Sequence, residues 1–99
     1  MGETIIYGRF EWDSEKEEIN QKKHHINFKL ATKVFDDPGR VVRVDENHSQ
    51  DELRWICLGK IGRKIATVRF TMRGSSFRLL GAGYWRKGRK TYEEEKKKK

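Results

Sequence analysis

Eleven Lys or Arg fall within the forty positions from Leu53 to Tyr92, and no Asp or Glu falls among them. They are Arg54, Lys60, Arg63, Lys64, Arg69, Arg73, Arg78, Arg86, Lys87, Arg89 and Lys90. Cations at this density neutralise phosphates and release counterions, which gives affinity for a polyanion that falls steeply with salt. Arginine adds a planar fork that matches a phosphate in bidentate fashion. Tyr84 and Trp85, beside Arg86 and Lys87, suit base stacking in a basic groove and equally suit packing over the end of a sheet. The polyanion these residues point to is RNA, and an acidic protein surface is the competing occupant.

Scission of RNA through its own 2′-hydroxyl asks two things of a protein. One is stabilisation of the charge that builds on the phosphorane, which arginine supplies. The other is proton transfer, which arginine cannot supply because its pKa exceeds ~12. A general base then has to come from His24, His25, His48, Glu52 or a lysine of depressed pKa such as Lys23. The run His48-Ser49-Gln50-Asp51-Glu52-Leu53-Arg54 sets a His, an acid and an Arg at the mouth of the basic segment. Each of them taken alone also reads as loop and strand start.

Other chemistries lack their residues. The chain has no phosphate-binding Gly-x-x-x-x-Gly-Lys loop, no Cys-x-x-Cys pair, no His-Glu-x-x-His and no Gly-x-Ser-x-Gly. Adjacent residues on a helix do not share a face, so His24 and His25 make a poor ligand pair, and His48 adds no ligand spacing. Neither a metal nor a cofactor is expected. Cys57, in the apolar run WICLG, reads as a buried inert thiol and fits a reducing cytoplasm.

Ninety-nine residues make one domain, expected over 1–92 with a charged tail over 93–99. Apolar content is low at 34% and charged content high at 38%, yet three Trp, five Phe and three Tyr supply enough bulk for a compact fold. The net charge of +8 is uneven: residues 1–49 hold eight Lys/Arg against ten Asp/Glu, and residues 50–99 hold fifteen against five. One surface dedicated to a polyanion follows. No apolar run approaches the length of a membrane span, and no secretory signal pattern opens the chain, so a cytoplasmic location is expected.

The elements that must position these residues follow from periodicity. Thr4 to Trp12 reads as a first strand, and Asp13 then caps a polar helix that ends at His24-His25, with Ile19 its main apolar anchor. Asn27 caps a second helix whose stripe is Phe28, Ala31 and Phe35, and Pro38-Gly39 stops it. A strand over Arg40–Val44, a polar loop and three further strands with turns at Ile61-Gly62-Arg63 and Arg73-Gly74 complete the pattern. This is an α+β layout: an N-terminal strand, two helices on one face, an antiparallel meander, and a variable C-terminal helix or tail. Arg54, Arg69 and Arg78 fall near the middles of successive strands, with the other face of the sheet open to them.

Several pieces, in order, resemble the BrnT family of toxins, part of the wider RelE-like group. The first are Phe10-Glu11-Trp12-Asp13, Lys16, Asn20, Lys23-His24, Phe28, Ala31, Val34-Phe35 and Asp37-Pro38. His48-Ser49, Glu52, Arg54, Gly59, Thr71, Arg73-Gly74 and Arg78 follow, so the resemblance covers roughly residues 10 to 92. It implies a RelE-like fold, a metal-independent endoribonuclease that arrests translation, and a cognate BrnA-like antitoxin through which alone the complex meets DNA. The site expected is Arg54, Arg73 and Arg78 for phosphate binding and charge stabilisation, with His48 and Glu52 for proton transfer. Lys23, His24, Arg69, Trp85, Arg86 and Lys87 are expected to hold the RNA. Where the family ends its last strand with Ser-Ala-Arg, this chain has Gly81-Ala82-Gly83, and His25 stands where Gly is common. That departure motivates an alternative, a toxin-like module that binds RNA or antitoxin without cutting.

Overall fold

The computed structural model describes residues 2–48 and 51–98, without the side chain of His48. Its first departure from the sequence pattern comes early. Thr4 to Asp13 is not one strand but a hairpin, β1 (Thr4–Tyr7) and β2 (Phe10–Asp13), because Gly8 adopts φ 60° and turns the chain with Arg9. Apolar alternation runs straight through such a turn, so periodicity alone does not reveal it.

Helix α1 (Ser14–His24) starts where Asp13 Oδ1 accepts from the backbone N–H of Glu15 at 2.8 Å and of Lys16 at 3.3 Å. It ends at His25, which takes the left-handed conformation at φ 58° while its N–H donates to Gln21 O. That is the backbone position where glycine is favoured, and it explains why the histidine is unusual there. Helix α2 (Phe28–Ala31) is capped by Asn27 and runs on as a 3-10 turn over Thr32–Asp36. Strand β3 (Val41–Val44), a 3-10 turn over Glu46–His48, and strands β4 (Trp55–Ile61), β5 (Lys64–Arg73) and β6 (Ser76–Gly83) follow. Helix α3 (Arg86–Lys97) closes the chain.

The six strands form one sheet in the order β1-β2-β6-β5-β4-β3. All neighbours are antiparallel except β2 and β6, which pair in parallel through Phe10↔Phe77 and Glu11↔Arg78. Side-chain alternation assigns the two faces. Cys57, Ala66, Val68, Phe70, Leu79 and Ala82 point to the first, where Trp12, Ile26, Phe28, Ala31 and Val34 from the hairpin, α2 and the turns around them complete the main core. Phe10, Phe35, Phe70 and Phe77 interlock there with ring centroids 5.0–5.5 Å apart. Burial among them pushes the Cys57 thiol up to about 12, which leaves it protonated and unreactive.

The anchor of α1 is not Ile19, which is exposed, but Asn20, which is buried. Asn20 Nδ2 donates to Ala82 O at 2.9 Å and its Oδ1 accepts from Ala82 N at 3.1 Å, so one amide pairs with the β6 backbone as a strand would. Glu17 accepts from Trp12 Nε1 at 3.1 Å and from the Phe28 backbone N–H at 2.8 Å, which locks β2 and the start of α2 to the same helix.

Helix α3 lies on the opposite face from α2. Its Tyr92 forms a second, smaller cluster with Leu58 and Ile65, the residues that alternate with the main core. Tyr92 Oη donates to Asp37 Oδ2 at 2.5 Å, and Asp37 also accepts from the N–H groups of Gly39 and Lys60, both at 2.8 Å. An ion pair of Arg43 with Glu95 adds a further tether.

Burial alone would raise the Asp37 pKa, but the hydrogen bonds from Tyr92, Lys60 and Gly39 outweigh it and hold the carboxyl below its ordinary value. Burial and the Asp37 charge push the Tyr92 hydroxyl up to about 12. A raised folded pKa contributes stability that is full below the unfolded value near 10 and lost as pH rises toward 12. The depressed carboxyl contributes above its ordinary value, and that part is lost in acid below about pH 4. Tyr92→Phe is therefore expected to cost about 1–3 kcal/mol in urea unfolding at neutral pH. It should also flatten the fall in stability between pH 10 and 12. An unchanged alkaline limb in the variant would show that this hydrogen bond does not hold α3.

Candidate active site

Since α3 covers only the β4–β5 end of the second face, the β6 side stays open. Arg69, Thr71 and Arg73 of β5 project there, in alternation with the core residues Val68 and Phe70. Arg69 stands opposite Ile56 on β4 and Gly81 on β6. A β-carbon on Gly81 would lie 2.6 Å from Arg69 Nη2, so the guanidinium rests on bare backbone. On β6 the register slips beside Arg69, where Gly81 and Leu79 face consecutive residues of β5 and Leu80 is the extra one. Leu80 then lines a cleft of about 140 Å³ together with Lys16, Arg54 and Arg69.

Trp85 closes one end of this arrangement. Its ring lies against Gly83, where a β-carbon would come within 2.7 Å of Cε2 and Cζ2. The Arg69 guanidinium carbon sits 5.9 Å from the Trp85 ring centroid, within cation–π range. His24 meets the same ring edge-on at 4.9 Å. Docking through Asn20 is what delivers these groups, because Lys16, Asn20 and His24 recur at four-residue spacing along one side of α1. Of the two aromatic residues, Tyr84 is partly buried against the main core, while Trp85 meets Arg69 on the open face.

The charges are not all alike. Arg78 pairs with Glu11 at 2.5 Å, both side chains 19% exposed. Glu52 lies 3.6 Å from Arg73 and 3.8 Å from Arg54. Acids absent from the basic stretch thus reach it from β2 and from the loop before β4, and the expectation of wholly unbalanced charge holds only in part. Thr71 Oγ1 donates to Leu53 O at 2.8 Å and fixes that loop. Arg69 differs in making no ion pair among the described residues; its Nε is also buried with no hydrogen-bond partner among them. A buried donor without a partner is unfavourable in general, and an acceptor that reached it would relieve that cost.

The sequence-selected residues therefore fall into groups. Arg54, Arg69, Trp85 and His24 converge, and Arg73, Arg78 and Glu52 flank them. Arg86 and Lys87 diverge: Arg86 shares a groove with Trp85, whereas Lys87 faces one lined by Arg43, Val44, Asp45, Glu46, Asn47 and Ile56. Lys23 is exposed at the end of α1. The side chain of His48, with Ser49 and Gln50, lies outside the described residues. Two residues here lie outside the expected site residues, Lys16, which lines the cleft, and Glu11, which pairs with the flanking Arg78, although both stand in the pieces that carry the resemblance. Among the described residues no three His, Cys, Asp or Glu stand together as a metal-binding group, and no helix is long and apolar enough to cross a membrane.

Residues 12–88, more than three-quarters of the chain, match the family model described as "Ribonuclease toxin, BrnT, of type II toxin-antitoxin system". The chain belongs to that family of ribonuclease toxins, whose class implies an RNA substrate and an antitoxin partner. No curated protein matches it.

Gly81 offers a substitution that separates function from folding. In Gly81→Ala the methyl group meets only the flexible end of Arg69, so stability should stay within about 1 kcal/mol. The displaced guanidinium should lower ribonuclease kcat/KM by about 10–100-fold. Full activity with an unchanged melting curve would remove Arg69 from the site.

Proposed function

We propose that this chain is a cytoplasmic endoribonuclease toxin that cuts RNA without a metal ion. In this reading a BrnA-like antitoxin neutralises it and supplies any contact with DNA. The observation that carries the reading is the Arg69 guanidinium, buried at Nε without a partner and set beside Arg54 and Lys16 in one cleft. Family membership supports the reaction class, and the cationic cluster supports charge stabilisation by side chains.

A phosphodiester in the cleft would turn its non-bridging oxygens toward Arg69, Arg54 and Lys16. The neighbouring 2′-oxygen attacks phosphorus and loses its proton to a base, while the P–O5′ bond breaks and the 5′-oxygen takes up a proton. A 2′,3′-cyclic phosphate and a 5′-hydroxyl remain. Charge accumulates on the phosphorane oxygens along this path, and donors fixed at that point are worth ~2.7–4 kcal/mol each in comparable sites. Arg73 and Arg78 flank the cleft as further phosphate-binding groups, Arg78 held by Glu11 and Arg73 by the Glu52 it shares with Arg54. Glu52 and His48, from the loop before β4, are the proton-transfer groups in this scheme, with His24 at the far wall. Trp85, Lys23, Arg86 and Lys87 hold the flanking chain.

The Gly81-Ala82-Gly83 departure fits this account. What the family places as a side chain on the strand is here the room taken by Arg69 and Trp85. Incubation of the purified protein with RNA in excess EDTA should give fragments ending in cyclic phosphate. Arg69→Ala should slow that cleavage by about 10²–10³-fold with unchanged thermal unfolding. Intact RNA beside folded wild-type protein would contradict the enzyme reading. If salt-sensitive RNA binding persisted there, the module that binds without cutting would be selected instead.

A further inference from the structure

Trp85, beside Arg69 of the cleft, also lines a second groove of about 340 Å³ with Arg63, Lys64, Ile65, Tyr84, Arg86 and Arg89. Four cations and two aromatic rings line it, and no acid does. Arg89 reaches Glu93 at 3.4 Å, while Arg63, Lys64 and Arg86 make no ion pair among the described residues. Lys64 Nζ lies 5.0 Å from the centroid of the Tyr84 ring. Helix α3 also begins the wrong way round for its dipole. No acid occupies its first turn, and Arg86 and Lys87 stand at the end where backbone N–H groups already carry positive charge. Like charge at a helix start is unfavourable unless an anion answers it, and local rules broken in this way mark functional surface.

Resting on the ribonuclease reading, we propose that this groove is a flanking-nucleotide subsite, in which a base stacks on Trp85 and the next phosphate is held by Arg63 and Arg86. Trp85 is shared: one part of its surroundings is Arg69 in the cleft, and another is the groove. A strand bound in both would cross the indole, with phosphates on either side of it. Alternation of cations with aromatic faces suits single-stranded nucleic acid, since each base has a face to stack and each linkage a charge to neutralise. An acidic protein segment would use the charges but not the indole.

The test uses fluorescent 2′-O-methyl oligonucleotides, which lack the attacking hydroxyl, as a dinucleotide and as a hexanucleotide. Wild-type protein should bind the longer probe more tightly. Arg63 lies in an exposed turn, so Arg63→Ala should fold normally. In that variant hexanucleotide affinity is expected to fall about tenfold and the log–log salt slope to shrink by about 0.7, with dinucleotide affinity unchanged. Trp85→Phe, which keeps a ring, should weaken the hexanucleotide less than Trp85→Ala. Arg69→Ala should weaken both probes. Loss with Arg69→Ala but not with Arg63→Ala would overturn the subsite and leave the cleft standing. Binding of neither probe by the wild type would overturn both. Loss of antitoxin binding in Arg63→Ala, with hexanucleotide affinity intact, would assign the groove to a protein partner instead.

Discussion

Arg69 makes no ion pair among the described residues; its guanidinium lies over bare backbone at Gly81, beside the Trp85 indole that packs on Gly83. A guanidinium is costly to desolvate, and here its Nε is buried without a protein acceptor. Everything around it works to hold that arrangement. The slip in β6 register brings Leu80 to the cleft, Asn20 fixes α1 so that Lys16 and His24 reach it, and Thr71 pins the loop that carries Arg54. Arg78 is answered by Glu11, and Arg54 and Arg73 share Glu52, whereas Arg69 makes no ion pair among the described residues.

The two faces of the sheet divide the labour. One is sealed by aromatic packing and supplies the rigidity that a positioned guanidinium needs. The other is split by α3, whose attachment through Tyr92 and Asp37 covers apolar residues at the β4–β5 end and leaves the β6 end open. The helix therefore shapes the site without contributing its core. It also brings cations to the second groove that Trp85 lines, which extends the positive surface past the cleft.

Much of this was legible in the chain. Caps at Asp13 and Asn27, the stop at Pro38-Gly39 and the antiparallel meander all follow from local residue chemistry, which acts over a few positions. Long-range facts were not. The hairpin at Gly8-Arg9 hides inside an unbroken apolar pattern. Asn20 is one polar residue among many on a polar helix, and only its meeting with Ala82 across the fold distinguishes it from exposed Ile19. Likewise, Arg54, Arg69 and Arg78 look equivalent as strand arginines. Acids distant in sequence, Glu11 above all, separate the paired from the unpaired. Family membership, carried by residues 12–88, was readable from ordered pieces even though no single piece named a chemical role.

The claim at the centre is that Arg69 receives the phosphate. Its side-chain Nε–H resonance offers the most direct view, followed by NMR while a 2′-O-methyl dinucleotide is titrated into the folded protein. The account predicts that this resonance shifts saturably and exchanges more slowly with water, while the Nε–H of Arg78, a guanidinium already tied to Glu11 through Nη1, stays in place. Movement of Arg78 with Arg69 unmoved would contradict it.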